Sequence, residues 1–265
     1  MKFLLTAINA KFIHSNPAIY SLRAGAGEKL QPYVELAEFT INESLESILE
    51  GIWKRQPKVI GFSCYIWNWK LIREILTELP KILPDTEIWL GGPEVTYDGP
   101  GLLREFPQVT GIMVGEGEVT FREVLEQYLR EAETAGQSEQ QPESDSTEHQ
   151  VADRRGTVAG KSMVERFGQI PGLCLASGYT APRDLTDLTT LPFLYEDMEP
   201  FTNRIIYYET SRGCPYRCSY CLSSIDKKVR LRDISVVKRE LQFFLDQNVK
   251  QVKFIDRTFN CDHKH

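Results

Sequence analysis

Two patterns of apolar and polar positions take turns along the first half of the chain, and their periods predict its elements. Residues 2–8 are an apolar run that reads as a strand. Residues 17–30 carry helical spacing, weakened towards the end by Gly25 and Gly27. Residues 33–39 read as a second strand, and residues 44–54 as an amphipathic helix with Leu45, Ile48, Leu49 and Ile52 on one face. Residues 58–63 have the continuous apolar core of a parallel strand covered on both sides. A helix over 70–81, closed off by Pro84, leads to a fourth strand over 87–90 that ends at Gly91-Gly92-Pro93. Residues 111–114 make a fifth strand, followed by a helix through 121–130. Strand–helix alternation of this kind predicts an α/β fold, a doubly wound parallel sheet. Ligands of such sheets sit beyond the C-terminal strand ends, which here are the turns 9–16, 63–69, 91–98 and 115–119.

The pattern then stops. Residues 131–160 are polar and almost free of large apolar side chains, too little to offset the entropy of ordering them. Residues 131–168 are therefore expected to be a disordered linker, which makes His149 a poor ligand candidate, and residues 169–200 a connector. A second αβ region occupies 201–265: a strand over 204–210, a cysteine loop, a helix over 235–246 and a strand over 251–255. One or two βαβ units cannot close a barrel, so this region is either small and open or part of a longer enzyme. Residues 1–130 form the first domain.

Composition narrows the function classes. A net charge of −6 on 265 residues makes nucleic acid an unlikely default partner. The N-terminal apolar run is shorter than a signal peptide's core, and no stretch has the length of a membrane span, so a cytosolic location and no membrane partner are expected. Six cysteines in so long a chain do not make a disulfide scaffold. Cys64, Cys174 and Cys261 are scattered and read as buried small apolar residues. The other three crowd together.

Residues 209–222 read ETSRGCPYRCSYCL, placing Cys214, Cys218 and Cys221 at a three-then-two spacing. Thiolates are soft ligands that suit an iron–sulfur cluster or zinc. One loop can wrap three corners of a cubane and leave the fourth iron open. A structural zinc would need a fourth ligand, for which Cys261 or His263 is available on paper. Zinc ligands usually come as two separated pairs, which favours the cluster.

This spacing, with Tyr220 before the last cysteine and a strand before the loop, resembles the radical S-adenosylmethionine (SAM) superfamily. The resemblance implies a 4Fe-4S cluster whose open iron is chelated by SAM, and electron transfer that cleaves SAM to a 5′-deoxyadenosyl radical. It implies that Tyr220 and Arg212 shape the SAM pocket. Residues 254–260, FIDRTFN, are similar to a strand-end signature of the same relatives. Asp256 is thereby a candidate catalytic contact to SAM or substrate, or else a strand-end cap or partner of Arg212 or Arg257. No glycine–glycine–glutamate triplet follows the cysteines, unlike many relatives.

A doubly wound domain ahead of such a loop resembles the cobalamin-dependent radical SAM class, carried by Val59–Cys64, Gly91–Val95 and Gly115–Phe121. By that resemblance Ser63, Gly91, Gly92, Gly115 and Gly117 contact cobalamin, and small residues suit close backbone approach to a bulky ligand. Cobalamin domains that ligate cobalt with histidine carry Asp-x-His-x-x-Gly after the first strand; here Asn9–His14 reads NAKFIH, so no histidine from that motif is expected on cobalt. His14 remains a loop residue on the binding side, and Trp67 and Trp69 form either an aromatic wall or core packing. The implied function is radical methyl transfer or a related radical reaction on an unidentified substrate, fed by a flavodoxin or ferredoxin. The alternatives are a radical SAM enzyme without cobalamin, and a non-catalytic cofactor-binding fragment.

Overall fold

The computed structural model describes residues 2–138, 162–224, 228–259 and 261–262. The chain divides into two compact units, one of residues 1–10 and 18–185, the other of residues 11–17 and 186–265. Among the described residues no helix is long and apolar enough to cross a membrane.

The first unit runs β1 (Phe3–Asn9), α1 (Pro17–Gly25), β2 (Val34–Thr40), α2 (Leu45–Trp53), β3 (Val59–Ser63), α3 (Trp69–Ile82), β4 (Glu87–Gly91), α4 (Gly99–Glu105), β5 (Val109–Met113), α5 (Gly117–Ser138), α6 (Met163–Phe167), β6 (Leu173–Leu175) and β7 (Gly178–Tyr179). Its sheet has the order β2-β1-β3-β4-β5-β6-β7. The first five strands are parallel and the last two antiparallel.

Successive side chains on a strand point to opposite faces, and each face here has its own core. Leu4 and Ile8 of β1 join Ile48 and Ile52 of α2, Ile72 and Leu76 of α3, and Leu103 of α4. Phe3, Leu5 and Ala7 join Ile19 of α1 and Phe121, Val124 and Leu125 of α5. This is the doubly wound arrangement the apolar pattern predicts. Burial of each such Leu or Ile is worth about 1.5–3 kcal/mol.

Several boundaries differ from the sequence expectation for definite reasons. The helix predicted over 17–30 ends at Gly25. Helix α3 runs through Pro80 to Ile82. A proline there cannot donate to the Leu76 carbonyl, and Gln108 Nε2 donates to it instead at 2.7 Å. Helix α4 was not expected, because Gly99-Pro-Gly reads as a turn. It starts at Asp98, whose carboxylate accepts from Gly101 N at 3.2 Å, with proline in its first turn.

The expected linker and connector also differ. Helix α5 continues eight residues into the linker range, to Ser138, and α6 lies inside that range. Residues 139–161, where the rest of the disorder expectation falls, lie outside the described residues. Beyond them α6 is fastened by Arg166, whose side chain is fully buried. It pairs with Glu87 of β4 at 3.0 Å and Glu131 of α5 at 2.9 Å. Tyr128 donates to Glu87 at 2.5 Å and accepts from Trp89 Nε1 at 2.8 Å. The range read as a connector adds β6 and β7 to the sheet edge.

The second unit holds β8 (Ile206–Tyr208), β9 (Ser211–Arg212), β10 (Arg230–Leu231), α7 (Ile234–Asp246) and β11 (Val252–Phe254). β8 pairs in parallel with β11, and β9 pairs antiparallel with β10. Its core is aromatic, with Tyr195 packed on Phe193, Phe201 and Phe244. Tyr208 donates to Glu240 at 2.6 Å, and Arg232 holds both oxygens of that carboxylate at 2.7 and 2.8 Å.

Candidate functional sites

In the first unit β1 lies between β2 and β3, so chain connections leave it in opposite directions and open a crevice beyond the strand ends. The floor of the crevice is fixed by a fully buried asparagine. Asn68 Nδ2 donates to the carbonyls of Ile8 and Ser63, each at 3.0 Å, and its Oδ1 accepts from Tyr65 N at 2.8 Å. Beside it Asn9 and Tyr20 both donate to Glu38, at 2.8 and 2.7 Å. Glu118, at the start of α5, is buried and accepts from Ser21 at 2.9 Å.

The small residues singled out from the sequence separate into two groups. Gly92 has φ +108°, and a Cβ there would sit 2.5 Å from the Cys64 carbonyl oxygen. Its lack of a side chain lets the β3 and β4 turns meet. A Cβ on Gly117 would sit 2.9 Å from Leu22 of α1. Gly92 is accounted for by the chain's own packing, whereas Gly117 meets only the movable end of the Leu22 side chain. Gly115, at φ +81°, has nothing within 4 Å of a built Cβ, and Gly91 meets only Met113 at 3.8 Å. Gly115 has open space beside it, whereas Gly91 is in ordinary contact with Met113. Ser63 ends β3 and is buried, with its carbonyl held by Asn68.

Around these glycines the loops carry exposed apolar side chains. Ile66 is 81% exposed, and Trp67 stacks flat on Tyr65 at 4.5 Å. Tyr97 is exposed on the loop after β4. Trp69 goes the other way, into the core against Phe106. Of the two tryptophans only Trp67 remains a candidate for the aromatic wall. Asn68 between them was missed, although a polar residue just before an amphipathic helix is the usual cap signal.

In the second unit the cysteine loop leaves β9 through Gly213. That glycine has φ +94°, and a Cβ on it would collide with the Lys228 carbonyl. Cys214 and Cys221 are half-buried and Cys218 is exposed, with Cys221 N donating to the Cys218 carbonyl at 3.1 Å in a tight turn. Among the described residues no three His, Cys, Asp or Glu side chains stand close enough to hold a metal. The loop carries the three sulfurs without gathering them. The donor set still fits an iron–sulfur cluster: three thiols on one short loop, with no carboxylate interleaved.

Asp256, the sequence's catalytic candidate, is a tie. Its carboxylate accepts from Thr210 N at 3.1 Å, Thr210 Oγ1 at 2.6 Å and Ser211 Oγ at 2.5 Å, joining the end of β11 to the root of the cysteine loop. This is the strand-end cap of the two sequence alternatives. Arg212 Nε pairs with Glu209 at 2.8 Å. Tyr220 is 93% exposed. Thr258, which the sequence reading passed over, stands 3.1 Å from the Cys214 sulfur.

His14 lies 2.5 Å from the Tyr207 hydroxyl, while Ile205 N donates to the Ile13 carbonyl at 2.8 Å and Arg204 covers the Phe12 ring. Burial, then the Lys253 and Lys11 charges, lower its pKa below the ordinary 6.5. Cys64 and Cys174 are buried and their pKa values are raised by desolvation, in line with a packing role. Cys261 is exposed, against expectation, because the chain has left the β11 strand for a surface turn.

Residues 4–125 match the family model of the B12 binding domain. The chain is 27% identical to the 2-(S-pantetheinyl)-carbapenam-3-carboxylate methyltransferase of Streptantibioticus cattleyicolor, over 89% of this chain and 32% of that protein. It is 26% identical to the cobalamin-dependent radical SAM methyltransferase TokK of Streptomyces tokunonensis, over 77% of this chain and 28% of that protein. Its fold matches the cobalamin-dependent SAM radical enzyme OxsB, solved with aqua-cobalamin and SAM bound. That match has a TM-score of 0.66 at 17% identity, over 97% of this chain and 34% of the other. The chain thus spans about a third of the length of these proteins.

Proposed function

We propose that this chain, a relative of the cobalamin-dependent radical SAM methyltransferases, binds a 4Fe-4S cluster, SAM and cobalamin for radical methyl transfer to a substrate not yet identified. The observation that carries the reading is the pairing, on one chain, of a B12 binding domain match over 4–125 with the Cys214, Cys218 and Cys221 loop at the end of a parallel strand. When bound, the cluster with SAM supplies radical chemistry and the corrinoid supplies a transferable methyl group.

The chain's own residues do the holding. Cys214, Cys218 and Cys221 ligate iron, with the Thr258 hydroxyl beside the Cys214 sulfur, and the loop takes its final shape around the cluster. The open backbone at Gly115 and the bare strand end at Gly91 admit the corrinoid's bulk, and Ile66 with the Tyr65–Trp67 stack covers it from water. Cobalt receives no histidine from the loop after β1, where His14 is engaged by Tyr207. A flavodoxin or ferredoxin would supply the reducing electrons, and a cytoplasmic location suits such a donor.

Anaerobic reconstitution with iron, sulfide and hydroxocobalamin, followed by removal of excess, tests this. About four irons per chain and retained corrinoid bands are expected. Iron is lost and corrinoid kept when all three cysteines are changed to alanine. Iron without corrinoid would select a radical SAM enzyme that has given up cobalamin. Zinc with no iron would overturn the assignment.

A further inference from the structure

The residues that follow β11 close on the cysteine loop at two separate points. At the root of the loop, the Asp256 carboxylate gathers the Thr210 amide, the Thr210 hydroxyl and the Ser211 hydroxyl. Two residues further on, the Thr258 hydroxyl stands 3.1 Å from the sulfur of Cys214. Between these two holds lies Gly213, in a conformation open to few other residues. The Thr210 carbonyl is also held, by Arg232 N at 2.9 Å. The root is therefore fixed on both sides of its peptide. Beyond it a turn joins Cys218 and Cys221, with Cys221 N donating to the Cys218 carbonyl at 3.1 Å.

In a thiol–hydroxyl pair either group can donate. A thiolate can only accept, so once Cys214 ligates iron the proton of that contact must come from Thr258. Hydrogen bonds to a cluster's sulfurs favour the more electron-rich, reduced state and are one of the levers that set its potential.

We propose that Asp256 and Thr258 are positioning residues for the cluster. Asp256 presets the path of the chain into Cys214, and Thr258 donates a hydrogen bond to the ligating sulfur and raises the cluster's reduction potential. This rests on the cluster reading above. It assigns to residues 256–258 a part in tuning electron transfer rather than in touching substrate.

The test uses Thr258→Val, Thr258→Ser and Asp256→Asn in the full chain, with two readouts. The first is the cluster's midpoint potential after anaerobic reconstitution, followed optically. Thr258→Val is expected to hold iron at a lower potential, and Thr258→Ser to restore the wild-type value. Loss of iron in Thr258→Val with retention in Thr258→Ser supports the proposal equally. The second is amide hydrogen exchange in the iron-free protein. Asp256→Asn is expected to speed exchange at Thr210 about tenfold, the loss of a hydrogen bond to a charged group. Thr258→Val is expected to leave that amide unchanged. An unaltered potential in Thr258→Val overturns the role of Thr258, and unaltered exchange in Asp256→Asn overturns that of Asp256. If the wild-type protein takes up no iron, the cluster reading and the Thr258 role fall together. The hold of Asp256 on the loop root is then judged by exchange alone.

Discussion

Beyond the strand ends of the first unit the backbone is set by the protein itself. Asn68 spends three hydrogen bonds on the β1 and β3 ends, Cys64 N donates to the Gly91 carbonyl at 2.7 Å, and two cores of buried side chains lie beneath. The cysteine loop of the second unit is fixed at its root and loose at its tip. Asp256 and Gly213 define where it begins, whereas Cys218 and Tyr220 are exposed and no metal-ligand group is assembled among the described residues. A site whose ligand needs room is built in advance from backbone and packing. A site whose ligand forms several strong bonds can leave its final geometry to the ligand, because binding free energy then does the ordering.

The sharpest measure of this contrast is thiol access. In the iron-free protein Cys214, Cys218, Cys221 and Cys261 should alkylate freely. Cys64 and Cys174, buried and held in the thiol form, should react at least about a hundredfold more slowly, since the thiolate is the nucleophile. Mass-spectrometric mapping of early labelling decides it. Prompt labelling of Cys64 would mean that the turn between β3 and β4 is not preformed.

The next largest effect concerns what holds the first unit together. Arg166→Ala leaves Glu87 and Glu131 facing a void where a buried guanidinium had been, at a cost of about 3–5 kcal/mol. Urea unfolding followed through Trp89, which is hydrogen-bonded into the same network, reads the loss directly. The pair Arg166→Met with Glu87→Gln should recover about half of it, because one of the two stranded charges is gone. A loss below about 1 kcal/mol, the range of exposed pairs, would show that α6 is not docked as described. Asn68→Ala should cost less, about 2–3 kcal/mol, for two carbonyls and one amide left unpaired at the crevice floor. It should also weaken corrinoid retention, whereas Trp67→Ala weakens retention with little change in stability.

What was legible in the sequence follows the same division. The parallel strands could be read because both faces are covered and their apolar runs are continuous, as in Val59–Ser63. The cysteines could be read because ligand chemistry is local in sequence. Three things were hidden because they depend on partners far along the chain. β6 and β7 are too short to show a period and exist only by pairing, β6 with β5 and β7 with β6. Asn68 looks like any helix cap until Ile8, sixty residues earlier, supplies its acceptor. Asp256 carries the same carboxylate whether it meets a substrate or the Thr210 amide, and only the pairing of β11 beside β8 selects the second. The helix α4 was hidden for a local reason, since Gly-Pro-Gly is compatible with a turn and with a capped first turn alike.

The smallest expected effect lies at the other end of the second unit, where His14 meets Tyr207. Burial comes first and the positive charges of Lys253 and Lys11 second in lowering its pKa below 6.5. Tyr207, also partly buried, has its own pKa raised and stays a neutral phenol. The folded protein therefore prefers neutral His14, while the unfolded chain protonates at the ordinary value. The contribution is complete above about pH 6.5 and is lost as pH falls from there towards the lower, folded pKa. His14→Gln removes the titration but keeps a side chain able to hydrogen-bond. Between about pH 7.5 and pH 5.5 the wild-type protein should lose slightly more stability than this variant, and the His14 ring should titrate below 6.5 by NMR. A ring that titrates above 6.5 would mean that the loop after β1 stands free of β8, which would return His14 to the binding side as an available ligand.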